Sequence, residues 1–224
     1  MRRCFYAIIS FSGQRLIAFF EFFLQKYTTP SEEIPAWSFK LATYTDLIRD
    51  EFQNIYNETL REFSKISPEQ GRITAGNSWK VFIMKAYGRN LRFNRLLCPR
   101  TAEICDKVPE ITSLLFSVLE PNTHLLPHRG PYAGVIRCHI PLIVPQGDCG
   151  LRVGDKYFEW RMGEPIIFDD TIEHEAWNRT NERRVVLFID FLRPLPLLLA
   201  IPNRLLIWLI GYSPFIGRML RASL

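Results

Sequence analysis

The sequence lacks the cysteine pattern of a disulfide-stabilised or zinc-binding protein. Its 224 residues include five cysteines at irregular spacing, and no C-x-x-C pair occurs. The 12 glycines and 15 prolines are too few for a collagen-like or low-complexity chain. A chain of this length with 47% hydrophobic residues can bury an ordinary core without covalent or metal staples. A reducing, cytosolic setting is therefore expected for the folded part.

Acidic side chains are absent from residues 191–224, which carry four arginines. Residues 1–30 have four basic side chains against a single glutamate, so residues 31–190 carry −2 of the net charge of +5. The two basic ends are also the most apolar parts of the chain. This combination argues against a nucleic-acid partner, because a nucleic-acid site needs basic residues on a polar surface. It favours ends that meet an anionic membrane surface.

No apolar run is long and clean enough for an evident transmembrane helix, which needs about 20 residues. Residues 5–24 are interrupted by Arg15 and Glu21, and residues 195–216 by three prolines and Arg204. No small-residue cleavage site indicates a signal peptide. Three alternatives stay open for the ends: helices packed on the domain, interfacial membrane anchors, or true spans. We therefore predict a domain over 31–194 between apolar basic segments at 1–30 and 195–224.

The predicted secondary structure of the central region changes from helical to extended along the chain. Apolar residues at helical spacing predict one or two amphipathic helices over 41–63, and Pro99 begins a short helix to Lys107. Gly154-Asp155 is typical of a hairpin turn. Strands are predicted over residues 79–84, 114–119, 135–143, 151–153, 156–160, 165–168 and 184–191. Many short strands at close spacing favour an antiparallel sandwich or barrel such as a jelly roll.

All four histidines of the chain lie within residues 124–174, inside the strand-rich region. They are His124, His128, His139 and His174. A lone histidine in a core is usually a packing residue, but four in one block favour a site. Because imidazole is a common metal ligand in proteins, the clustering points to a metal centre.

Four segments in this region resemble the aspartyl/asparaginyl β-hydroxylase family. They are Pro127–Pro131, Arg137–His139, Phe168–Asn178 with its F-D-D-x-x-x-H-E-x-W pattern, and Arg184–Asp190. The similarity runs from about Trp79 to Pro194. It implies a mainly β protein with flanking helices and a double-stranded β-helix core, which is the jelly-roll or cupin-like architecture. It also implies a dioxygenase that uses Fe(II), 2-oxoglutarate and O2.

The resemblance implies that His128 and His174 bind the iron. Non-haem iron oxygenases commonly add a carboxylate two residues after the first histidine. Position 130 is a glycine here, which agrees with the two-histidine version of the site in aspartyl β-hydroxylases and leaves the third metal face to water. The lipid A branch of the family tends to have an aspartate there, so the glycine favours the first branch. Asp170 is a candidate to orient the ligands. For His124, a structural role and a substrate contact both stay open, while Cys98 and Cys105 are expected to be buried free thiols.

The resemblance also implies which residues bind the cosubstrate. Arg184 would hold the distal carboxylate, because a planar guanidinium suits a carboxylate. Arg137 and His139 are two apart on a strand and point the same way. The residues implied near 2-oxoglutarate are Arg184, Arg137, His139, Ser117 and Trp79. A sheet salt bridge for Arg137 and a plain core position for Trp79 remain alternatives.

The favoured reaction is hydroxylation of an unactivated C–H, at the β-carbon of Asp or Asn in a peptide or carrier-bound amino acid. The first alternative is acyl-chain hydroxylation of lipid A at the membrane, which the apolar basic ends would suit. The second is a cupin-like binding module without turnover, which is less favoured because none of the implied cosubstrate groups is missing. We expect membrane association with a cytoplasmic catalytic domain, with a soluble cytoplasmic enzyme as the alternative.

Overall fold

The computed structural model describes residues 20, 22, 24, 34–76 and 78–224. The prediction for the segment 1–30 therefore lies almost wholly outside the described residues. The helices are α1 (Ala36–Ala42), α2 (Thr45–Thr59), α3 (Phe63–Ile66), α4 (Pro68–Ile73), α5 (Arg92–Leu97), α6 (Pro99–Asp106), α7 (Leu197–Gly211) and α8 (Pro214–Ala222). The strands are β1 (Arg61–Glu62), β2 (Thr74–Gly76), β3 (Trp79–Ala86), β4 (Arg89–Asn90), β5 (Ile111–Leu119), β6 (Thr123–His128), β7 (Val135–Ile143), β8 (Cys149–Val153), β9 (Lys156–Glu159), β10 (Ile166–Phe168), β11 (His174–Asn178) and β12 (Arg184–Leu192).

Two antiparallel sheets form the centre of the molecule. The larger has the strand order β1-β3-β5-β12-β7-β10, with β4 paired to β3. The smaller has the order β2-β6-β11-β8-β9. The predicted jelly-roll core with flanking helices is confirmed.

Both faces of the larger sheet are covered by other parts of the molecule, as the side chains of strand β12 show. Its residues Val186 and Phe188 pack towards the smaller sheet in one core cluster. Its residues Val185, Leu187 and Ile189 pack in a second cluster, which includes α1 and α2 side chains. Because strand side chains alternate between faces, Arg184 lies on the same face as Val186, between the sheets. The strand alternation thus brings a cation into the interior.

The predicted strands are largely confirmed, and β7 has the predicted bounds. β6 and β11 were not predicted as strands. They are the strands that end and begin at His128 and His174. Their sequences, THLLPH and HEAWN, carry polar residues and a proline in place of a run of β-branched residues, so local propensity does not identify them.

The C-terminal segment forms α7 and α8, and one side of each packs on the body. Ile207, Ile210, Ile216, Met219 and Leu220 belong to the core cluster between the sheets. Within the described residues, no single helix is long and apolar enough to cross a membrane. The pair α7 and α8, bent by 58°, meets those two criteria only when taken together.

Candidate active site

His128 and His174 lie side by side at the ends of neighbouring strands. They are partners in the β6–β11 register, and their ring centroids are 4.2 Å apart. The Nδ1 of His128 lies 2.7 Å from the carbonyl oxygen of Leu126, and that of His174 lies 2.9 Å from the carbonyl of Ile172. A carbonyl only accepts hydrogen bonds, so each Nδ1 carries the proton. Each Nε2 then keeps a lone pair for a metal.

Burial keeps both imidazoles neutral. It lowers the pKa of His128 to about 4. Burial, reinforced by the neighbouring His128, lowers the pKa of His174 to about 2. A neutral imidazole is the form that binds a metal, so the pair is ready to bind one at pH 7.

Gly130 and Asp170 lie next to the histidine pair and are packed against each other. The Gly130 N–H donates to the backbone carbonyl of Asp170 over 2.6 Å. A Cβ at position 130 would lie only 2.0 Å from Asp170 Oδ2. The Asp170 carboxylate therefore fills the space where a side chain at 130 would begin. Among the described residues, no group of three or more His, Cys, Asp or Glu side chains is placed to hold a metal.

The hypothesis that the Asp170 carboxylate orients the histidines is wrong. Backbone carbonyls two residues before each histidine do this instead. The Asp170 carboxylate pairs with Arg137, whose Nη2 lies 2.9 Å from Oδ2. Burial raises the pKa of Asp170, while the guanidinium of Arg137 opposes the rise.

Arg137 is held by two carboxylates. Its Nε donates to Asp190 Oδ1 over 2.9 Å, and the second carboxylate is that of Asp170. Its guanidinium also lies 4.1 Å from the ring centre of Phe188. Burial alone would lower the pKa of Arg137, but Asp170 and Asp190 raise it. Of the two interpretations of Arg137, cosubstrate binding and a salt bridge within the sheet, the structure contains the salt bridge.

Arg184 is a fully buried cation at the start of β12. Its Nη1 donates to the carbonyl of Ser117 over 3.2 Å, and its Nε has no hydrogen-bond partner among the described residues. Burial lowers the pKa of Arg184 to about 10, so it is still charged at pH 7. Its guanidinium lies 4.5 Å from the ring centre of Trp160.

His139 is buried beside Arg184, and neither of its ring nitrogens has a partner within the described part of the chain. Burial, followed by the charge of Arg184, lowers its pKa well below the usual value. Its ring lies 5.3 Å from Phe168 and 5.4 Å from Phe188. The neutral ring therefore offers one donor and one acceptor inside an apolar surround.

Ser117 and Trp79 are joined to each other. The indole N–H of Trp79 donates to the Ser117 hydroxyl over 3.0 Å. Ser117 also faces Val186 in the β5–β12 register, on the face that carries Arg184. The Trp79 ring packs edge-on against Phe63, so this tryptophan is both a core residue and a wall of the cavity below.

Trp160 was not identified from the sequence. It is 3% exposed, follows β9, and its indole N–H has no partner among the described residues. The sequence signal was the alternation of the apolar Phe158 and Trp160 with the charged Glu159 at the end of a predicted strand. Arg184, His139 and Trp160 thus present unpaired buried donors in one region, which fits a bound carboxylate.

A mainly apolar cavity extends from His128 towards the C-terminal helices. Its polar lining near His128 includes Arg137, Asp170 and Asp190, and Ser67, Gln70 and Ser113 also line it. The apolar walls are Phe63, Trp79, Ile83, Leu115, Phe215 and Met219. The last two side chains belong to α8, so this helix forms part of the wall.

The remaining candidates lie outside the site. His124 Nε2 lies 2.8 Å from Glu175, which also pairs with Arg152, and this contact favours the structural alternative. Cys98 and Cys105 are buried free thiols, as predicted.

The fold and the site define a class of protein: a jelly roll with a histidine pair at the ends of two neighbouring strands and unpaired donors buried between the sheets. The family model for aspartyl/asparaginyl β-hydroxylase matches residues 43–194. The chain therefore belongs to this family, which is one of 2-oxoglutarate-dependent dioxygenases.

Two relatives named as hydroxylases differ in what their names say they act on. The ornithine lipid ester-linked acyl 2-hydroxylase of Rhizobium tropici is 38% identical over 184 residues, which cover 80% of this chain and 66% of that protein. The human aspartyl/asparaginyl β-hydroxylase is 30% identical over 175 residues, covering 71% of this chain and 23% of that protein. The match thus spans less than two thirds of either relative. A Pseudomonas putida prolyl-4-hydroxylase structure aligns with a TM-score of 0.44 at 13% identity, over 67% of this chain and 88% of that one.

Proposed function

We propose that the protein is an Fe(II)- and 2-oxoglutarate-dependent hydroxylase that acts on an acyl chain of a membrane lipid. The observation that carries this proposal is the apolar cavity between the histidine pair and α8. The sequence favoured an Asp or Asn side chain as substrate, and the lining of the cavity is the reason to prefer the lipid alternative.

The proposed roles follow from the contacts of each residue. His128 and His174 would hold Fe(II) through their Nε2 atoms. Arg184 and His139, with Trp160 beside them and Ser117 nearby, would receive the distal carboxylate of 2-oxoglutarate. When bound, the iron, the cosubstrate and O2 supply the oxidation of an unactivated C–H. The protein positions these groups and keeps water away.

The charge balance of the cavity disfavours an acidic substrate. Among the described lining residues, Arg137 is the one lysine or arginine. Asp170 and Asp190 already neutralise it. A buried substrate carboxylate would therefore lack a free cation, and burying an unpaired charge is costly. An acyl chain meets no such penalty against Phe63, Leu115 and Met219.

Hydroxylation at the β-carbon of Asp or Asn is the second candidate. It is favoured by Gly130 and the two-histidine site, and by the 30% identical human relative whose name states that activity. An uncharged Asn side chain would avoid the charge penalty. The non-catalytic module is set aside because the family is one of enzymes.

The test is anaerobic reconstitution with Fe(II), followed by 2-oxoglutarate and O2, in the presence of lipid vesicles or of Asp- and Asn-containing peptides. We expect succinate formation and one added oxygen atom on a lipid acyl chain, detected by mass spectrometry. Oxygen added to the peptide alone would support the second candidate and reject the first.

The matched variants are His174→Ala in the site and His124→Ala outside it. His174→Ala should lose succinate formation by at least about 100-fold, because one of two proposed ligands is gone. His124→Ala should keep most of it. Equal activity in both variants would contradict the metal assignment.

A further inference from the structure

Helix α7 is apolar on both its inner and its outer face. On the inner face, Ile207 and Ile210 join the core. Asn203 fixes the helix on the body: it accepts from the Tyr132 hydroxyl over 2.6 Å and donates to the Gly134 carbonyl over 2.8 Å. This inner face already has its partners, so the outer face is the one that needs an explanation.

The outer face of α7 exposes a continuous apolar stripe. Leu198 is 89% exposed and Trp208 55% exposed. The stripe consists of Leu198, Ile201, Leu205, Trp208, Leu209 and, just after the helix, Tyr212, all more than half exposed. Apart from the adjacent pair Trp208 and Leu209, successive members are three or four residues apart, which places them on one side of the helix. An exposed patch of this kind marks an interaction surface.

The C-terminal segment that carries this stripe has basic but no acidic side chains, and Glu110 from another part of the chain lines one cavity with Trp208 and Tyr212. Arg218 and Arg221 are exposed on α8, and residues 191–224 contain no acidic residue. Arg204 on α7 pairs with Glu110, and Arg193 is buried with Asp169. Two exposed cations thus accompany the stripe without an acidic neighbour in the C-terminal segment.

A third helix extends the apolar basic surface. Asn94 of α5 donates to the Ser223 carbonyl at the end of α8, over 3.3 Å. On α5, Phe93 and Leu96 are 59% and 66% exposed, and Arg92 is also exposed. Helix α5 therefore adds exposed apolar and basic side chains near the end of α8.

We propose that the outer face of α7, with the exposed arginines of α8, docks on an anionic lipid bilayer, with α7 lying in the plane of the interface. Apolar side chains would enter the acyl boundary and the arginines would meet lipid phosphates. Trp208 and Tyr212 are the residue types that favour the membrane–water interface. A second copy of the chain is the other possible occupant, and the test below distinguishes it from a bilayer.

Docking would place the cavity next to the bilayer. Phe215 and Met219 line the cavity from α8, while Arg218 of the same helix is exposed. A lipid acyl chain could then enter the cavity without crossing water. This consequence, unlike the docking itself, rests on the proposed function.

The docking test is vesicle flotation of the full chain with neutral phosphatidylcholine vesicles and with vesicles that also contain phosphatidylglycerol. We expect binding to the anionic vesicles, weakening as salt is raised. Leu205→Glu with Trp208→Glu should reduce binding at least about tenfold, and Arg218→Gln with Arg221→Gln by a similar factor. Tyr157→Glu is the matched control, since Tyr157 is 73% exposed on β9, and it should bind like the wild type.

The depth of Trp208 in the bilayer is measured with brominated lipids, which quench the fluorescence of nearby tryptophans. Wild-type fluorescence should be quenched most by bromines near the headgroups, and Trp208→Phe should lose that quenching. Strongest quenching by bromines at the bilayer centre would overturn the interfacial geometry. Dimer formation without vesicle binding, or full binding by Leu205→Glu/Trp208→Glu, would overturn docking.

Succinate formation without lipid separates this inference from the proposed function. If docking alone is lost, Leu205→Glu/Trp208→Glu should keep lipid-independent succinate formation. Vesicle binding by a wild-type enzyme that hydroxylates no lipid would support docking and reject the lipid substrate.

Discussion

Gly130 is the residue at which this site departs from the common histidine-x-carboxylate pattern. The glycine is required because the Asp170 carboxylate fills the space of a side chain there. That carboxylate is in turn held by Arg137. The absence of a side chain at position 130 is thus linked to the ion pair between Asp170 and Arg137, which lies on strand β7.

We expect Gly130→Ala to lower the free energy of unfolding by about 1–3 kcal/mol, because the new Cβ overlaps a buried carboxylate. Thermal and urea denaturation would measure the loss. Gly217→Ala on α8 is the control: its Cβ would meet nothing closer than 3.7 Å, so it should be neutral or slightly stabilising.

A double-mutant cycle identifies the cause. In Gly130→Ala/Asp170→Ala the overlap is absent, so the double variant should be more stable than the sum of the single changes predicts, by about 1 kcal/mol or more. Strict additivity would show that Asp170 is not what Gly130 accommodates.

Trp160 is expected to matter through two separate features, its ring and its N–H. Trp160→Phe keeps an aromatic ring beneath Arg184 but removes the unpaired N–H. If that N–H donates to the bound cosubstrate, the KM for 2-oxoglutarate should rise about 3–30-fold with kcat changed less. Trp160→Leu should lower affinity further, since it also removes the ring.

Two comparisons distinguish this role from a structural one. The thermal shift that 2-oxoglutarate produces in Mn(II)-loaded protein should shrink in Trp160→Phe. Trp177→Phe, whose indole N–H donates to Asp148 away from the site, should leave KM and the shift unchanged. Equal KM values for Trp160→Phe and wild type would remove Trp160 from the cosubstrate site.

Helix α6 shows how one element depends on another far away in the chain. Pro99 begins the helix, as the sequence predicted, but its first N–H groups are capped by α2. Glu51 accepts from the N–H of Arg100 over 3.0 Å and from that of Thr101 over 2.8 Å. A carboxylate at this end also complements the helix dipole.

Glu51→Gln should destabilise the protein by about 1 kcal/mol, because an amide keeps one acceptor and loses the negative charge. Urea unfolding gives the value. Glu103→Gln, an exposed position on the same helix, is the matched control and should change stability little. Equal effects of the two variants would contradict the capping role.

At the scale of the whole molecule, buried thiols link stability to alkaline pH. Burial raises the pKa of Cys98 and Cys105 to about 12, from an ordinary 9.0. It also raises the pKa of Cys149 to about 11. Their stabilising contribution is therefore complete below pH 9 and is lost as pH rises, because the unfolded chain ionises first.

The free energy of unfolding should fall above pH 9, by about 1.4 kcal/mol per pH unit for each such thiol. Urea unfolding at pH 8, 9 and 10 under reducing conditions measures the slope. Cys98→Ala/Cys105→Ala should show a shallower slope, despite lower stability at every pH. An unchanged slope would rule out these thiols as its source.

Local pattern was sufficient where one face of an element decides its structure. Strand β7 has its predicted bounds, and β12 places Arg184 on its inward face. Both could be predicted because the alternation of apolar residues is visible in a short stretch of sequence. β6 and β11 escaped prediction because pairing with neighbours, rather than propensity, makes them strands. The histidine pair was found through its resemblance, but its 4.2 Å geometry comes from the register of those two strands.

The sequence by itself determined the family, the residue types of the site and the basic, apolar character of the C-terminal segment. Only the tertiary structure decided that Arg137 is bound by Asp170 and Asp190, that Trp160 joins Arg184, and that α7 keeps an exposed apolar face. The physical reason is range. Periodicity and propensity act over a few residues, whereas the pairing of a buried charge and the exposure of a helix face depend on contacts between residues far apart in the chain.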